Sequence, residues 1–404
     1  MTNDKHSDTY QRRPNVFLYF LAGIYFSVYC KLFCHLRIKG DKPKGPAVIV
    51  SNHASNADYK IIAVSAYPRR INFLGTYHWF TFKKFAFWLK VIGVIPKYQF
   101  ATDLKSFRKM QYVLKENKGM IYIAPEGTIF ANGKLGPISP SIAKMIRMFR
   151  VPVYASRIEG TGLGMAKWTR KLHRTHVTVT TKKIISEEEC GKLSVDTIMN
   201  RIINSLSYNE FDYQSLNAIS SKDKNLAEGF ETMFYKCPCC KSEFTLKTYE
   251  NTVECTQCGS KAHIGIDFRF KWNGEKQYFD NYIQWYDWQK EELRKEIEKP
   301  DFKLEDEVEY AIDKSGINNY VKVGKGKMTL SHTGWDYKGT FDGKSVEEHD
   351  DLSQVYLATL KVGLHFELPY RFDHCRVFYP KNGLTSMKWH LASRVISELL
   401  AEKG

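Results

Sequence analysis

Gly45-Pro46-Ala47-Val48-Ile49-Val50-Ser51-Asn52-His53-Ala54-Ser55-Asn56-Ala57-Asp58 is the stretch from which the rest of the chain is read. Ala47–Val50 is a short apolar run behind a Gly-Pro turn signal and predicts a buried strand. A helix is predicted from around Ala57 to Tyr67. The strand delivers Asn52 and His53 at its C-terminal end. Five residues on a helix turn through about 140°, so His53 and Asp58 would not share a helix face. They meet only if His53 lies in the turn between strand and helix, where open α/β sheets bind their ligands. A His beside a carboxylate would be a general base with the group that orients it. Taken alone the spacing is weak, because a hydrogen-bonded structural histidine is the commoner outcome.

The segments downstream repeat the strand–helix alternation. Asp103 to Asn117 carries Leu104, Phe107 and Leu114 at helical spacing, with Gly119 as a stop signal. Met120–Ala124 predicts the next strand, and Pro125-Glu126-Gly127-Thr128 its exit loop. Glu126 would therefore arrive at the same sheet edge as His53, and Gly127 would let backbone approach a ligand closely. Ser139–Phe149 reads as a helix, Val151–Ile158 and Val177–Ile184 as strands, and Leu193–Tyr208 as a closing helix. The expected fold class is α/β, a mainly parallel sheet flanked by helices. No Ser or Cys sits in a nucleophile-elbow setting. The nucleophile would come from the substrate, such as an alcohol attacking an activated acyl group.

Taken in order, these motifs resemble those of the glycerolipid acyltransferase family typified by lysophosphatidate acyltransferases. That family's first block, Asn-His-x4-Asp, is matched by Asn52, His53 and Asp58. Its third, Pro-Glu-Gly-Thr-Arg, is matched by Pro125 to Thr128, with Ile129 in place of Arg. Its fourth is matched by Val151-Pro152-Val153, closing at Glu159-Gly160. The second usually places Arg after Gly-x-Ile-Pro, and here Gly93-Val94-Ile95-Pro96 leads to Lys97. The resemblance covers about residues 15–210, half the chain. It implies that His53 and Asp58 are catalytic, that Glu126, Gly127 and Thr128 position the acceptor's glycerol part, and that Asn52 and Lys97 also belong to the substrate-binding set, Asn52 with a role in supporting the loop backbone. It also implies an acyl-CoA or acyl carrier protein donor, a lysophospholipid acceptor and no catalytic cofactor. The two departures weaken the case for lysophosphatidate itself, since Arg grips phosphate bidentately and Lys acts as a point charge. Lys97, Lys134, Arg108 and Arg157 are the cations that would substitute.

Charge divides the chain. Residues 1–185 hold 31 Lys+Arg against 8 Asp+Glu, a net +23, whereas residues 186–404 hold 29 against 36, a net −7. A basic surface suits nucleic acid or anionic lipid. The apolar and aromatic context of the basic half favours a membrane surface with anionic lipids over nucleic acid. Val16–Cys30 is uncharged and follows Arg12-Arg13, but its 15 residues fall short of the roughly 20 that span a bilayer. The readings, in order, are an interfacial helix, a tilted spanning helix with Lys31 snorkelling, and a buried core helix. In any spanning case the Arg pair would keep the N-terminus on the cytoplasmic face of the membrane. Trp79–Lys90 mixes rings with Lys, as a headgroup-level helix or a core helix with solvated lysines would.

Nine cysteines are present. Cys237, Cys240, Cys255 and Cys258 form two Cys-x2-Cys pairs separated by 14 residues, the spacing of a structural zinc ribbon. Such a closed site would not be catalytic. The other five show no framework spacing, which indicates a reducing compartment. Asn281–Lys299 predicts an amphipathic helix, its aromatic end packed on the ribbon or touching membrane. Val321–Phe378 alternates between turn signals and predicts antiparallel β, with a helix over Ser386–Leu400. That order is similar to a pleckstrin-homology-like module, which would bind lipid or protein or act as scaffold. The expected organisation is a membrane-associated segment (1–40), an acyltransferase domain (41–210), a linker (211–231), the ribbon (232–266), a helical segment (267–300) and a β-rich domain with a final helix (301–404). The leading reading is a membrane-associated O-acyltransferase acting on a lysophosphatidate-like hydroxyl. The rivals are acylation of another lysophospholipid or glycolipid, and a non-catalytic zinc-ribbon scaffold on nucleic acid or anionic membrane.

Overall fold

The computed structural model describes residues 9–80, 83–99, 103–130, 132–313, 320–353, 355, 357–371 and 374–403. The described residues divide into two compact units. One takes those within Met1–Lys97, Thr102–Lys167 and Lys171–Lys222, the other those within Tyr98–Ala101, Trp168–Arg170 and Asp223–Gly404.

The first unit begins with α1 (Val16–Tyr29), which runs on through a π-helical turn (Cys30–Cys34). It is followed by β1 (Arg37–Gly40), β2 (Ala47–Val50), α2 (Asp58–Ala66), β3 (Ile71–Thr76), α3 (Lys83–Val91) and β4 (Ile95–Lys97). Then come α4 (Leu104–Lys115), β5 (Met120–Ile123), α5 (Pro140–Phe149), β6 (Val153–Glu159) and the single turn α6 (Thr161–Gly164). β7 (Thr178–Ile185), α7 (Val195–Leu206) and α8 (Glu210–Asn217) complete the unit. The strands form one sheet in the order β1-β7-β6-β2-β5-β3-β4.

Apolar alternation builds this sheet from both faces. Val48 and Val50 of β2 point to one side with Ile121, Ile123, Val153 and Ala155, under the buried faces of α4, α5 and α7. Ala47 and Ile49 point to the other, with Met120, Tyr122, Tyr154 and Ile158, under α2 and the end of the N-terminal helix. Every residue of β2 and β5 is buried, as expected of central parallel strands covered on two sides. Asp103, Ser139, Ser194 and Asn209 each accept a backbone N–H at the start of the following helix.

The sheet is mainly parallel as expected, and two other expectations need correction. The one antiparallel pair is β6–β7, and β1 lies parallel to β7. The connection from Gly160 to Val177 contains one helical turn and returns along the same edge, so it makes no crossover. The predicted linker is partly helix, because Asn209 caps α8 and Glu210, Phe211 and Tyr213 are buried. The buried-core reading of the N-terminal helix fails, since Phe17 is 67 % and Phe20 51 % exposed. Val16–Cys34 is long and apolar enough, by length and composition alone, to cross a membrane. In the Trp79–Lys90 run, residues 81 and 82 lie outside the described set; Phe87 and Trp88 are exposed.

In the second unit, β8 (Leu246–Tyr249), β9 (Thr252–Cys255), β10 (Lys261–Ile264) and β11 (Phe270–Trp272) make a small antiparallel sheet. α9 (Tyr282–Ile297) packs its aromatic end here, Trp285 lying against Phe230, Phe270 and Trp272. β12 (Lys303–Asp313), β13 (Tyr320–Ser331), β14 (Gly334–Phe341), β15 (Lys344–Asp350), β16 (Thr359–Lys361), β17 (His365–Arg371) and β18 (His374–Pro380) form a seven-stranded antiparallel sheet in the order β15-β14-β13-β12-β18-β17-β16. α10 (Ser386–Lys403) closes it, with Trp389 stacked on Trp335 and Phe366.

Candidate active site

Parallel β2 and β5 are direct neighbours, so the loops leaving their C-terminal ends lie side by side. These loops carry His53 and Glu126. The chain folds back after β2 because the Asp58 carboxylate accepts the Ser55 N–H at 2.9 Å, closing a tight turn at the start of α2. The same oxygen, Oδ2, lies 2.9 Å from His53 Nδ1. His53 thus sits in the turn and Asp58 in the first turn of the helix, the arrangement that brings the two together. Asp58 is fully buried, while the His53 side chain keeps 25 % exposure. Nε2 of His53 has no protein partner among the described residues and faces outward from its carboxylate-bound edge. A ring held this way leaves Nε2 free to take a proton, and a buried carboxylate beside Nδ1 can stabilise the imidazolium that would result.

Asn52 and Glu126 hold the loop. The Asn52 side-chain amide donates to Ile158 O at 2.8 Å and accepts from Ile158 N–H at 2.7 Å, tying the first motif to β6. Ser51 Oγ and Tyr122 OH lie 2.8 Å apart beneath it. Burial raises the Tyr122 phenol above its ordinary value, aided by the nearby Asp58 and Glu126 charges. The Glu126 carboxylate accepts the His53 backbone N–H at 2.6 Å and the Gly136 N–H at 2.7 Å. Glu126 is buried, and these two bonds tie it to the histidine loop. Gly127, at φ +71°, is exposed, and Thr128 is buried beside it. Lys97 ends β4, three strand positions from β2, a separation of about 14 Å across the sheet. Burial depresses its pKa, against the pull of Asp103.

Removing the Glu126 carboxylate takes away the bond that holds the His53 N–H and should shift the histidine. Glu126→Ala is expected to lower kcat about 100-fold with KM for the acceptor little changed. A rise in KM alone would return Glu126 to substrate binding.

Glu210 was not singled out by its sequence setting. Its carboxylate is fully buried and accepts the N–H groups of Gly160 at 2.7 Å and Gly162 at 2.8 Å, fixing the turn after β6. The available signal was Asn209 as a helix cap followed by buried-type Phe211 and Tyr213. Desolvation pushes the Glu210 carboxyl up to about 8 against the two N–H bonds. The folded pKa lies above the unfolded one, so folding favours the protonated form. Stability from this group is full below about pH 4.5 and is lost as pH rises towards 8. Urea midpoints should fall over that window, and Glu210→Gln should flatten the slope.

In the second unit, the Sγ atoms of Cys237, Cys240, Cys255 and Cys258 lie within 4.8 Å of one another. Cys237–Cys258 and Cys240–Cys255 are each separated by 3.8 Å. A tetrahedron of thiolates about 2.3 Å from a zinc ion has edges of about 3.8 Å. Each pair sits on the same kind of turn, with Lys241 N–H bonded to Cys237 O and Gly259 N–H to Cys255 O. The donor set fits zinc. Cys239 is exposed and outside the group.

Residues 35–159 match the family model described as Acyltransferase. No curated protein matches the chain. Among solved structures, the chain is similar to the 1-acyl-sn-glycerophosphate (LPA) acyltransferase PlsC from Thermotoga maritima, with 16 % identity and a TM-score of 0.38. The match covers 50 % of this chain and 83 % of that one.

Proposed function

From an acyltransferase-family domain over residues 35–159, we propose that this chain is a membrane-associated O-acyltransferase that moves an acyl group from an acyl thioester to a glycerolipid hydroxyl. The observation that carries the proposal is His53 Nδ1 held at 2.9 Å by a buried Asp58, with its other ring nitrogen open at the strand edge. Nε2 takes the acceptor's hydroxyl proton as the oxygen attacks the thioester carbonyl. The tetrahedral adduct collapses with cleavage of the C–S bond, and the imidazolium returns the proton to the leaving thiolate. The products are an ester and a free thiol, from acyl-CoA or acyl carrier protein. Asn52 and Glu126 keep the histidine loop in register, and Gly127 and Thr128 line the acceptor's approach.

The acceptor we propose is lysophosphatidate-like, with Lys97 drawn to its phosphate. Ile129 and Lys97, standing where the resembled family has Arg, favour a second reading in which another lysophospholipid or a glycolipid is acylated. The exposed apolar face of α1 supports binding at the membrane surface, and Arg12 and Arg13 favour the cytoplasmic face. Structural zinc on Cys237, Cys240, Cys255 and Cys258 would cross-link the small sheet, and the β12–β18 sheet closed by α10 would serve as a pleckstrin-homology-like recognition or scaffold module.

The test offers labelled acyl-CoA, and separately acyl carrier protein, with lysophosphatidate and a panel of uncharged and choline-bearing lysolipids. Transfer to lysophosphatidate whose KM rises in Lys97→Ala supports the first reading. Preference for a phosphate-free acceptor supports the second. No transfer to any acceptor overturns both.

A further inference from the structure

The edge of the first unit's sheet opposite His53 holds a cavity of about 250 Å³. It lies where three neighbouring strands begin: Gly45 precedes β2, Gly119 precedes β5, and Arg69 and Arg70 precede β3. The four-residue β2 alone puts about 13 Å between this edge and the catalytic one. Five cations line the cavity: Arg13, Lys44, Arg69, Arg70 and Lys118. No carboxylate lines it, and none of the five is in an ion pair among the described residues. Five like charges around one space repel one another, and an anion relieves that repulsion. A water takes up about 30 Å³ in the liquid, so the cavity has room for a phosphate group.

The guanidinium groups are preset. Arg69 donates through Nη1 to the carbonyls of Lys42 and Pro43, and Arg70 through Nη1 to Pro14 O. Each fork is anchored at one corner and keeps its other donors, the preorganised form in which Arg binds phosphate. Asn72 donates to Arg12 O, so residues 12–14 are tied down at the cavity. That segment leads directly into α1, whose Phe17, Phe20, Leu21 and Ile24 are exposed.

We propose that this cavity is a phosphate site, separate from the acyl-transfer site, that holds the headgroup phosphate of an anionic phospholipid where the exposed face of α1 enters the membrane surface. The assignment rests on the membrane-surface reading given above. It explains why the cations cluster at the root of the apolar helix, where lipid phosphate and apolar anchor would be met together.

The experiment measures binding of the full chain to vesicles of phosphatidylcholine alone and of phosphatidylcholine with one-fifth phosphatidic acid. Arg13→Gln/Lys44→Gln is compared with Lys144→Gln/Arg147→Gln, which removes two exposed cations from α5, away from the cavity. The expected result is tighter binding to phosphatidic acid vesicles, about 30-fold weaker in the cavity variant at roughly fivefold per cation. The α5 variant should lose less than threefold. Equal losses in both pairs would overturn the site in favour of diffuse charge. Wild-type binding to both vesicle types that is unaffected by the cavity variant would overturn it while leaving the membrane reading intact. Binding to neither would overturn both. Calorimetry with inorganic phosphate separates the sources: saturable phosphate binding lost in the cavity variant, with vesicle affinity unchanged, would make this a site for free phosphate and overturn the lipid assignment.

Discussion

His53→Ala should abolish acyl transfer, lowering kcat about 10³-fold, while the protein keeps its fold. The side chain is 25 % exposed, its one side-chain hydrogen bond among the described residues is to Asp58, and it belongs to neither apolar core cluster of the sheet, so truncation leaves the core packing in place. The loop itself is held by backbone and neighbouring groups that the substitution leaves in place: Glu126 on the His53 N–H, Asn52 on Ile158, and Phe130 N–H on His53 O. Asp58→Asn should also be severely impaired, because the amide can present its N–H₂ to Nδ1 and favour the wrong ring tautomer. It should be less stable as well, since Asp58 Oδ2 also closes the Ser55 turn. Circular dichroism and the thermal midpoint of each variant separate chemistry from folding. A His53→Ala protein that is folded and turns over at the wild-type rate removes the general-base assignment.

Zinc removal should act on the other unit. The full chain is expected to contain one zinc ion, released by a strong chelator or by thiol-modifying reagents. Cys255→Ser should prevent full loading, because Cys255 is buried and one of the four ligands that meet among the described residues. Structural zinc contributes folding free energy outright. Loss should therefore lower the unfolding midpoint of the second unit by about 10 °C or more. Cys239→Ser should do neither, because its thiol lies outside the cluster. Zinc-to-protein ratios with a thermal scan check this. A ratio near zero in protein purified without chelators, or an unchanged midpoint after metal removal, contradicts it.

Much of the first unit is written locally. Ala47–Val50 is apolar at every position because both faces of a central strand are covered. The turn after it needs His53 outside the helix and Asp58 inside it, and the five-residue spacing carries that requirement. Glu126 shows where local reading stops. Its motif marks it as important, but the neighbouring of β2 and β5 is a tertiary fact, and only that neighbouring turns the carboxylate towards the His53 N–H. The reversal of β7 and β1 was likewise hidden, because strand direction depends on the path of a loop with no periodic signal. Glu210 looked like an ordinary polar residue at a domain boundary. Its burial follows from the two glycine N–H groups it meets 50 and 48 residues away in sequence. β12 was obscured by its charges, which on one face pair across to β13, Glu309 with Lys322 and Glu305 with Lys327.

The cysteine spacing, by contrast, carried its geometry directly. Two short turns of the same kind, each presenting two thiols, form one cluster once the strands between them pair. The aromatic positions of α9 also follow from spacing, because Trp285 and Tyr286 fall on the buried face with Leu293 and Ile297.

The most direct test of the central claim is a single-turnover reaction of the zinc-loaded full chain with labelled acyl-CoA and lysophosphatidate in vesicles, following ester formation and thiol release together. Ester and thiol should appear at the same rate, no label should remain on the protein, and both signals should vanish in His53→Ala. Thiol release ahead of ester formation, with label retained on the chain, would contradict direct attack by the acceptor hydroxyl.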